Sequence, residues 1–390
     1  MIVFTFPGQG SQKSGMGEAW RDHPSWELVV EASSLLGRDL EHLLLHAEAT
    51  ELTRTDNAQL STFLTSLIVL DAVERLGVEP AAAAGHSLGE YTALVASGAL
   101  ALEEGLHLVA ERGAVMLETT TNRVGTMAAV LGLDDDDVEM ACARADGEVW
   151  VANYNAPGQV VIAGDPDALA KASEIAKELG AKKIMSMAVS GAFHTPFMAP
   201  ARDRLRSAIE SADLRDADLP VYANVDARPH TGPEWNQLLN SQLCNPVRWR
   251  QTLTNLGQAG ASVFIELGPG AVLTGMAKRT VDGAKTLSIS TPDDLDKLLT
   301  ALAAPKESAV IVHEGEHLFA TERMVVSPAA GVFTPIKGVS EGFQLTPGAL
   351  IGHVGEQDVR SPFAGILVGM LAVEGERVTT SQPIAWLRSA

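Results

Sequence analysis

The sequence is poor in cysteine and in positively charged residues. Only two cysteines, Cys142 and Cys244, occur among 390 residues, which excludes a disulfide framework, and they lack the CxxC spacing of a common zinc site. Such low cysteine usage is typical of a reducing compartment, so we expect a cytoplasmic protein. Lysine and arginine total 29 against 49 aspartates and glutamates, a formal net charge of −20. This balance disfavours nucleic acid and anionic membranes as partners, because basic residues must meet their phosphates.

Long apolar runs are also absent. No stretch reaches the roughly 18 uninterrupted apolar residues of a membrane helix, because the alanine-rich segment from Ala81 is interrupted by His86 and Glu90. The N-terminal run Met1–Phe6 has no basic flank and no small-residue cleavage site, and Pro7-Gly8 ends it after one strand's length. The run is therefore predicted to be a core strand, and no segment is expected to enter a bilayer.

Short apolar runs alternate with longer amphipathic ones from Met1 to about Thr300, which is typical of an α/β domain. The strands predicted from this pattern are Ile2–Phe6, Ala82–Gly85, Pro220–Ala223 and Val263–Leu267. The predicted helices are Asn57–Leu76, Leu88–Ser97, Leu102–Thr119 and Val247–Gln258. At roughly 100 to 200 residues per domain, a chain of this length implies more than one folding unit.

The pattern changes in residues 124–193, where short runs and helical segments follow the order βαββαβ. That order favours a ferredoxin-like subdomain inserted into an α/β core made of residues 1–123 and 194–304. Beyond the core, we expect a linker over residues 305–324 and an all-β module over residues 325–390. The module contains a repeat: Ser327-Pro328 with Glu341-Gly342 is echoed by Ser361-Pro362 with Glu374-Gly375, about 33 residues later.

The segment with the clearest chemistry is Gly85-His86-Ser87-Leu88-Gly89, a Gly-x-Ser-x-Gly between a predicted strand and a predicted helix. Its glycines permit a tight turn that exposes the Ser87 hydroxyl, while the following amides point toward any negative charge that forms nearby. A glycine-rich turn without catalytic function is the alternative. The strand-to-helix context favours a nucleophile.

A serine nucleophile needs a base within hydrogen-bond reach. His194 lies at the end of an apolar run, where a loop would meet the next helix, and is the preferred candidate over a histidine that only caps a loop. His86 is a rival, but its position beside Ser87 in the sequence points it away across the turn.

Gln9 lies between glycines directly after the first strand. The chain can approach closely there and offer an amide to an oxyanion. The segment lacks the Lys-Ser/Thr of a phosphate loop and the GxGxxG of a dinucleotide site, which excludes both nucleotide-binding interpretations.

Six motifs together resemble the malonyl-CoA:acyl-carrier-protein transacylase family. They are PGQGSQ at 7–12, GHSLGEYTAL at 85–94, ERG followed by Met116, GAFHTPFM at 191–198, QLCNPVRW at 242–249 and ELGPGAVLTGMAKR at 266–279. The resemblance covers about 300 residues, in family order and spacing. It implies an α/β-hydrolase-like acyltransferase core with an inserted ferredoxin-like subdomain.

The resemblance also implies roles. Ser87 would be the acylated nucleophile, His194 its base, and Gln242 the residue whose carbonyl orients the histidine. The amides of Gln9 and Leu88 would form the oxyanion hole.

Three further residues would select the acyl group. Arg112 would hold the free carboxylate of the substrate, which suits a planar guanidinium. Phe193 matches the position where malonyl-selective relatives carry phenylalanine, and its ring would exclude an α-methyl group. Met116 is expected to line the same pocket, although a core role is equally compatible with the sequence.

The implied reaction transfers a malonyl group from malonyl-CoA to the phosphopantetheine thiol of acyl carrier protein, supplying fatty-acid synthesis. Acyl carrier proteins are acidic, as this chain is, so local basic clusters must dock them. The candidates are Lys182-Lys183, Arg202 with Arg204 and Arg206, Arg248 with Arg250, and Lys278-Arg279.

The C-terminal module resembles biotinyl and lipoyl carrier domains over roughly Val325 to Leu387. The junction between its halves, Ile351–Val359, contains no lysine for attachment. The sequence therefore predicts neither biotin nor lipoate, and a role in docking a partner or in self-association.

Other functions share the same motifs. A serine thioesterase or hydrolase would use Ser87 and His194 with water, although Arg112 and Gln242 argue against it. Malonyl transfer in polyketide synthesis or malonate decarboxylation needs the same site. A non-catalytic scaffold is disfavoured by the full set of expected residues.

Overall fold

The computed structural model describes residues 1–189, 191–303, 322–355 and 357–388. The chain divides into two compact units, Met1–Ala304 and Pro305–Ala390. No helix of the described residues is long and apolar enough to cross a membrane.

The first unit alternates strands and helices. Its strands are β1 (Ile2–Phe6), β2 (Ala82–Gly85), β3 (Thr126–Leu131), β4 (Val149–Ala156), β5 (Gln159–Gly164), β6 (Lys183–Ser186), β7 (Val221–Tyr222), β8 (Pro229–His230), β9 (Val263–Leu267) and β10 (Lys285–Ile289). Its α-helices are α1 (Glu27–Leu36), α2 (Leu40–Leu45), α3 (Ala49–Leu52), α4 (Thr55–Arg75), α5 (Gly89–Ala96), α6 (Leu102–Asn122), α7 (Asp135–Arg144), α8 (Pro166–Glu178), α9 (Ala199–Ser211), α10 (Trp235–Gln242), α11 (Trp249–Gln258), α12 (Val272–Thr280) and α13 (Asp293–Ala303). Short 3₁₀ helices span Glu18–Trp20, Pro24–Trp26 and Pro196–Met198.

A six-stranded sheet in the order β10-β9-β1-β2-β7-β8 forms the core. The pairs from β10 to β7 are parallel, and only β8 is antiparallel. Helices cover both faces of such a sheet, so its central strands read as continuous apolar runs, and Val3, Phe4 and Phe6 are fully buried. Because β1 and β2 run in parallel, their carboxyl ends meet at one edge, which is where ligands bind in open α/β sheets.

A separate four-stranded antiparallel sheet has the order β4-β5-β3-β6. It is here called the inserted sheet, because its strands lie in the chain between β2 and β7 of the core sheet. Helices α7 and α8 cover one face of it, with Val130, Val138 and Ile162 in a shared apolar core. The other face of β3 and β5 carries Met127, Ala129 and Val161, which point toward the carboxyl edge of the core sheet.

Several predicted bounds differ from those of the structure by one to three residues: α4 is Thr55–Arg75 rather than Asn57–Leu76, α5 is Gly89–Ala96 rather than Leu88–Ser97, α6 ends at Asn122 rather than Thr119, and β7 is Val221–Tyr222 rather than Pro220–Ala223. The helix expected to begin at Val247 begins at Trp249, because Val247 pairs with the inserted sheet instead. Its amide donates to the carbonyl of Ala152, and its carbonyl accepts from the amide of Tyr154, both at 2.9 Å. Strand β4 itself continues to Ala156, where it pairs with Gln159 of β5.

The second unit is all β in its described residues. Its strands are β11 (Glu322–Val326), β12 (Gly331–Pro335), β13 (Gln344–Leu345), β14 (Leu350–Val354), β15 (Gln357–Arg360), β16 (Gly365–Met370), β17 (Arg377–Val378) and β18 (Pro383–Arg388). They form two four-stranded sheets, β11-β18-β16-β13 and β15-β14-β12-β17. Strand β11 begins inside the segment predicted to be a linker, and residues 305–321 of that segment lie outside the described residues.

The internal repeat has a structural counterpart. The buried hydroxyl of Ser327 donates to the carbonyl of Ala329 at 2.6 Å, and that of Ser361 donates to the carbonyl of Phe363 at 2.7 Å. The two halves meet at a tight hairpin in which Val354 pairs with Gln357. Each repeat thus contributes four strands and one equivalent serine turn to a common core.

Candidate active site

Ser87 lies on a strained turn between β2 and α5. Its φ angle of 54° is in the left-handed region, which is uncommon for a residue with a side chain. A Cβ atom on Gly85 would lie 1.8 Å from the backbone of Gly89, and one on Gly89 would lie 2.0 Å from the carbonyl oxygen of Phe6. Both glycines are therefore required for the turn, which holds the serine at the carboxyl edge of the sheet.

The Ser87 hydroxyl contacts His194. Its Oγ lies 2.7 Å from His194 Nε2, while Nδ1 of the same ring lies 3.0 Å from the carbonyl oxygen of Gln242. A carbonyl can only accept, so Nδ1 carries the proton and Nε2 is free to accept one from Ser87. Burial lowers the pKa of His194 to about 3, with the Arg112 cation as the second cause. The imidazole is therefore neutral near pH 7 and available as a base.

Arg112 places a buried cation beside the nucleophile. Its Nη2 donates to Ser87 Oγ at 3.1 Å and to Gln242 Oε1 at 2.9 Å, and its Nη1 donates to Gln59 Oε1. The side chain is fully buried, and the guanidinium also lies 5.5 Å from the centre of the Tyr91 ring. Burial lowers its pKa, although a guanidinium remains charged in proteins. The arrangement suits recognition of an anionic group attached to Ser87.

The amides of Gln9 and Leu88 are available as donors. Within the described part of the chain, neither has a hydrogen-bond acceptor. The loop that carries Gln9 lies against the serine turn, since a Cβ on Gly8 would lie 2.5 Å from the carbonyl oxygen of His86. Two unpaired amides beside a serine hydroxyl can stabilise an oxyanion.

A cleft of about 290 Å³ opens at Ser87, between the core and the inserted sheet. Gln9, Met116, Phe193 and His194 line it, together with apolar residues of the inserted sheet and of α12. Arg112, Gln242 and Leu88 are not among the lining residues. The first two act on the site through their bonds to Ser87 and His194. The structure therefore brings all eight predicted residues together. Five of them line the cleft, and Arg112, Gln242 and Leu88 lie directly behind its surface.

His86 faces away from the reaction centre. Its Nε2 lies 2.9 Å from Asn155 Oδ1, and its ring packs edge-on against Trp249, with centroids 5.6 Å apart. Its ring therefore forms part of the wall of the cleft and does not contact the Ser87 hydroxyl.

Sequence reasoning missed three polar residues around Ser87: Gln59, Glu90 and Asn224. Gln59 bridges the guanidinium of Arg112 and Gln9, donating to Gln9 Oε1 at 3.0 Å. Asn224 Oδ1 accepts from the Ser87 amide at 2.7 Å. Glu90 is an acidic residue inside the otherwise mostly apolar GHSLGEYTAL segment, which is the one available signal in the sequence; no such signal marks Gln59 or Asn224.

A parallel α/β sheet, a serine on a strand-to-helix turn, a neutral histidine bonded to that serine and two unpaired backbone amides are the features of a serine-dependent acyl-transferring protein. Residues 3–306 match the family model described as an acyl transferase domain. The chain therefore belongs to the acyl transferase family, and more narrowly to its malonyl CoA-acyl carrier protein transacylases, on the following similarities.

Curated relatives that carry this name match the chain over nearly their whole length. The malonyl CoA-acyl carrier protein transacylase of Bacillus subtilis (strain 168) is 40% identical over 314 residues, covering 79% of this chain and 99% of the relative. That of Escherichia coli (strain K12) is 39% identical over 298 residues, covering 75% and 96%.

Solved structures of malonyl transacylases are similar to the first unit of the chain as well. The malonyl CoA-acyl carrier protein transacylase of Coxiella burnetii superposes with a TM-score of 0.75 at 36% identity, covering 77% of this chain and 97% of its own. A malonyl-transacylase solved in complex with a type II PKS acyl-carrier protein gives a TM-score of 0.75 at 34% identity, covering 77% and 99%.

Proposed function

We propose that the chain transfers a malonyl group from malonyl-CoA to the phosphopantetheine thiol of acyl carrier protein through a malonyl ester on Ser87. The observation that carries this proposal is the placement of Arg112 and His194 on the same hydroxyl. One contact activates the nucleophile, and the other supplies a cation for the acyl group's free carboxylate. The names of the relatives support the same reaction.

In the first half-reaction, Ser87 Oγ attacks the thioester carbonyl carbon while its proton moves to His194 Nε2. The amides of Gln9 and Leu88 donate to the resulting oxyanion. The C–S bond then breaks, and the His194 imidazolium returns the proton to the departing coenzyme A thiolate. Gln242 supports this step because its carbonyl accepts a hydrogen bond from His194 Nδ1–H, and that bond strengthens when the ring becomes an imidazolium.

The second half-reaction repeats these steps with another thiol. The phosphopantetheine thiol gives its proton to His194 and attacks the ester carbonyl, and the Ser87 oxygen leaves with that proton. The neutral His194 suits both directions, since it accepts a proton in each half and returns it within the same half.

Selectivity follows from the residues around the ester. A carboxylate can form two parallel bonds with the guanidinium of Arg112, which an acetyl group cannot use. Phe193 and Met116 line the cleft that opens at Ser87, and we propose that the Phe193 ring excludes an α-methyl group.

Acyl carrier protein is the proposed partner, and the charges at the mouth of the cleft support it. Lys183 stands two residues before Met185 on the cleft-facing side of β6, and Arg279 follows Met276 by one helical turn on α12. Neither cation pairs with a carboxylate among the described residues, whereas Arg202, Arg206 and Arg250 do. These two residues, here called the rim cations, keep their charge free of a carboxylate, although Arg279 also donates to Gln159 Oε1, and they can face an acidic partner.

We also propose a fold for the inserted sheet with its helices and for the second unit. The βαββαβ order and the sheet order β4-β5-β3-β6 support a ferredoxin-like subdomain that walls the cleft. Two four-stranded sheets with a repeated serine turn support a biotinyl/lipoyl-like module. We propose that this module docks a partner or self-associates without biotin or lipoate. The cytoplasmic location stays a prediction.

A product assay tests the function. Malonyl-CoA is supplied with holo acyl carrier protein, and malonyl transfer to the carrier thiol is compared with release of free malonate, for the full chain and for a chain ending at Ala304. Transfer should dominate in both. Predominant release of malonate would instead indicate a thioesterase.

A further inference from the structure

Glu90 is a buried carboxylate that the mechanism above does not use. It lies in the first turn of α5, three residues after Ser87, and only 1% of its surface is exposed. A carboxylate is almost never fully buried unless its oxygens are paired. Its two oxygens are paired here with the residues that flank the nucleophile.

One oxygen holds Asn224. Glu90 Oε1 accepts from the backbone amide of Asn224 at 2.6 Å. The side chain of Asn224 in turn accepts from the Ser87 amide at 2.7 Å and donates to the carbonyl of Gly85 at 2.6 Å. These bonds fix the backbone from the end of β2 to the Ser87 amide, where the strained turn begins.

The other oxygen holds Gln242. Glu90 Oε2 accepts from Gln242 Nε2 at 2.5 Å, and the same nitrogen donates to the Ser87 carbonyl at 2.8 Å. With Nε2 fixed as the donor, Oε1 of the amide faces Arg112 and accepts from its Nη2 at 2.9 Å. Glu90 therefore sets which way the Gln242 amide is turned, and through it the position of the guanidinium.

We infer that Glu90 is a positioning residue for acyl transfer, which holds Asn224 and Gln242 so that Ser87, His194 and Arg112 keep their reactive geometry. It touches neither substrate nor the reacting atoms. The inference rests on the proposed function, because it concerns how fast the malonyl ester on Ser87 forms.

The carboxylate form fits this arrangement best, since both oxygens act as acceptors. The charged and titratable groups that face Glu90 are Arg112 on α6, Asp226 after β7 and Tyr91 on its own helix. Burial raises the pKa of Glu90 to about 7, while the bonds from Asn224 and Gln242 and the charge of Arg112 oppose that rise. Protonation near neutral pH should therefore weaken the arrangement.

The test replaces one atom. Glu90→Gln keeps the shape but turns an NH₂ group toward an existing donor, Gln242 Nε2 or the Asn224 amide, so one buried bond is lost. The matched control is Glu266→Gln, because Glu266 on β9 is equally buried but accepts from Thr274 at the start of α12. The readout is the single-turnover rate of malonyl-Ser87 formation from malonyl-CoA, with the thermal midpoint measured in parallel.

Glu90→Gln should slow malonylation about 10- to 100-fold at saturating malonyl-CoA. The concentration giving half the maximal rate should change much less. The wild-type rate should fall as pH drops through about 7, and the Gln variant should lack that fall. Glu266→Gln should keep the wild-type rate and pH profile.

Three results would overturn the inference: a wild-type rate in Glu90→Gln, an unchanged acid limb in that variant, or equal rate losses in both variants. If Glu90→Gln does not fold, Asn224→Ala, Gln242→Ala and their double variant replace it. If Glu90 anchors both residues, the double variant should lose much less rate than the product of the two single losses. A double-variant loss equal to that product would refute the inference. A wild-type protein that forms no malonyl-Ser87 would instead refute the proposed function.

Discussion

Ser87 Oγ and Arg112 Nη2 lie 3.1 Å apart, so the nucleophile and the buried cation share one hydrogen bond before any substrate arrives. A malonyl ester on Ser87 would carry its carboxylate only a few bonds from that oxygen. The cation is thus positioned to select the acyl group by charge, independently of the chemistry at the carbonyl.

Replacing Arg112 should therefore change selectivity more than chemistry. Arg112→Ala is expected to lower kcat/KM for malonyl-CoA about 10²- to 10³-fold, because a buried carboxylate would lose its partner. The value for acetyl-CoA should stay constant or rise. Steady-state kinetics with both thioesters measure this, with Arg204→Ala, a surface arginine paired with Glu118, as the control. Equal losses for both thioesters would show that Arg112 serves the chemistry instead.

Phe193 should control acceptance of a branched acyl group. Phe193→Ala opens space beside Ser87, so the preference for malonyl-CoA over methylmalonyl-CoA is expected to fall about 10- to 100-fold, the range for one carbon in an apolar pocket. A competition assay with both thioesters, read by the mass of the acylated carrier protein, gives the ratio directly. An unchanged ratio would place the selectivity elsewhere in the cleft.

The lowered pKa of His194 should appear in the stability of the protein. Its folded-state pKa of about 3 lies below the ordinary value of 6.5, so the unfolded chain takes up the proton first. His194 therefore costs stability as pH falls from about 6.5 toward 3, and costs nothing above 6.5.

His194→Gln removes this titration. Urea unfolding of both proteins at pH 7 and pH 4.5 should show a larger acid loss in the wild type. The comparison between proteins cancels other titrating groups, including Glu90, whose raised pKa acts in the opposite direction. Identical losses in the two proteins would mean that His194 titrates normally.

The rim cations should affect only the second half-reaction. Lys183→Glu and Arg279→Glu are expected to raise the KM for acyl carrier protein, because an acidic partner would be repelled. The rate of Ser87 malonylation should stay unchanged. The control is Arg202→Glu, since Arg202 already pairs with Asp203. A raised KM in the control alone would move the docking surface to α9.

The parts of the site that are local in sequence were predictable. The glycines around Ser87 dictate its turn, and strands β1, β2 and β9 have the bounds expected from their apolar runs. Gln59, Glu90 and Asn224 were not predicted, because their meaning depends on packing. Asn224 reaches the Ser87 amide across 137 residues of chain, and Gln59 reaches Gln9 across 50. Val247 was misassigned for the same reason, since its partner strand lies almost a hundred residues earlier.

The central claim is that Ser87 carries the malonyl group, and mass spectrometry tests it most directly. The wild-type protein is mixed with malonyl-CoA alone, quenched in acid and digested, and the peptide containing Ser87 is examined. The account predicts a malonyl ester on Ser87 that disappears when holo acyl carrier protein is added before quenching, and no adduct in Ser87→Ala. A stable malonyl adduct in Ser87→Ala, or an adduct that acyl carrier protein cannot remove, would contradict it.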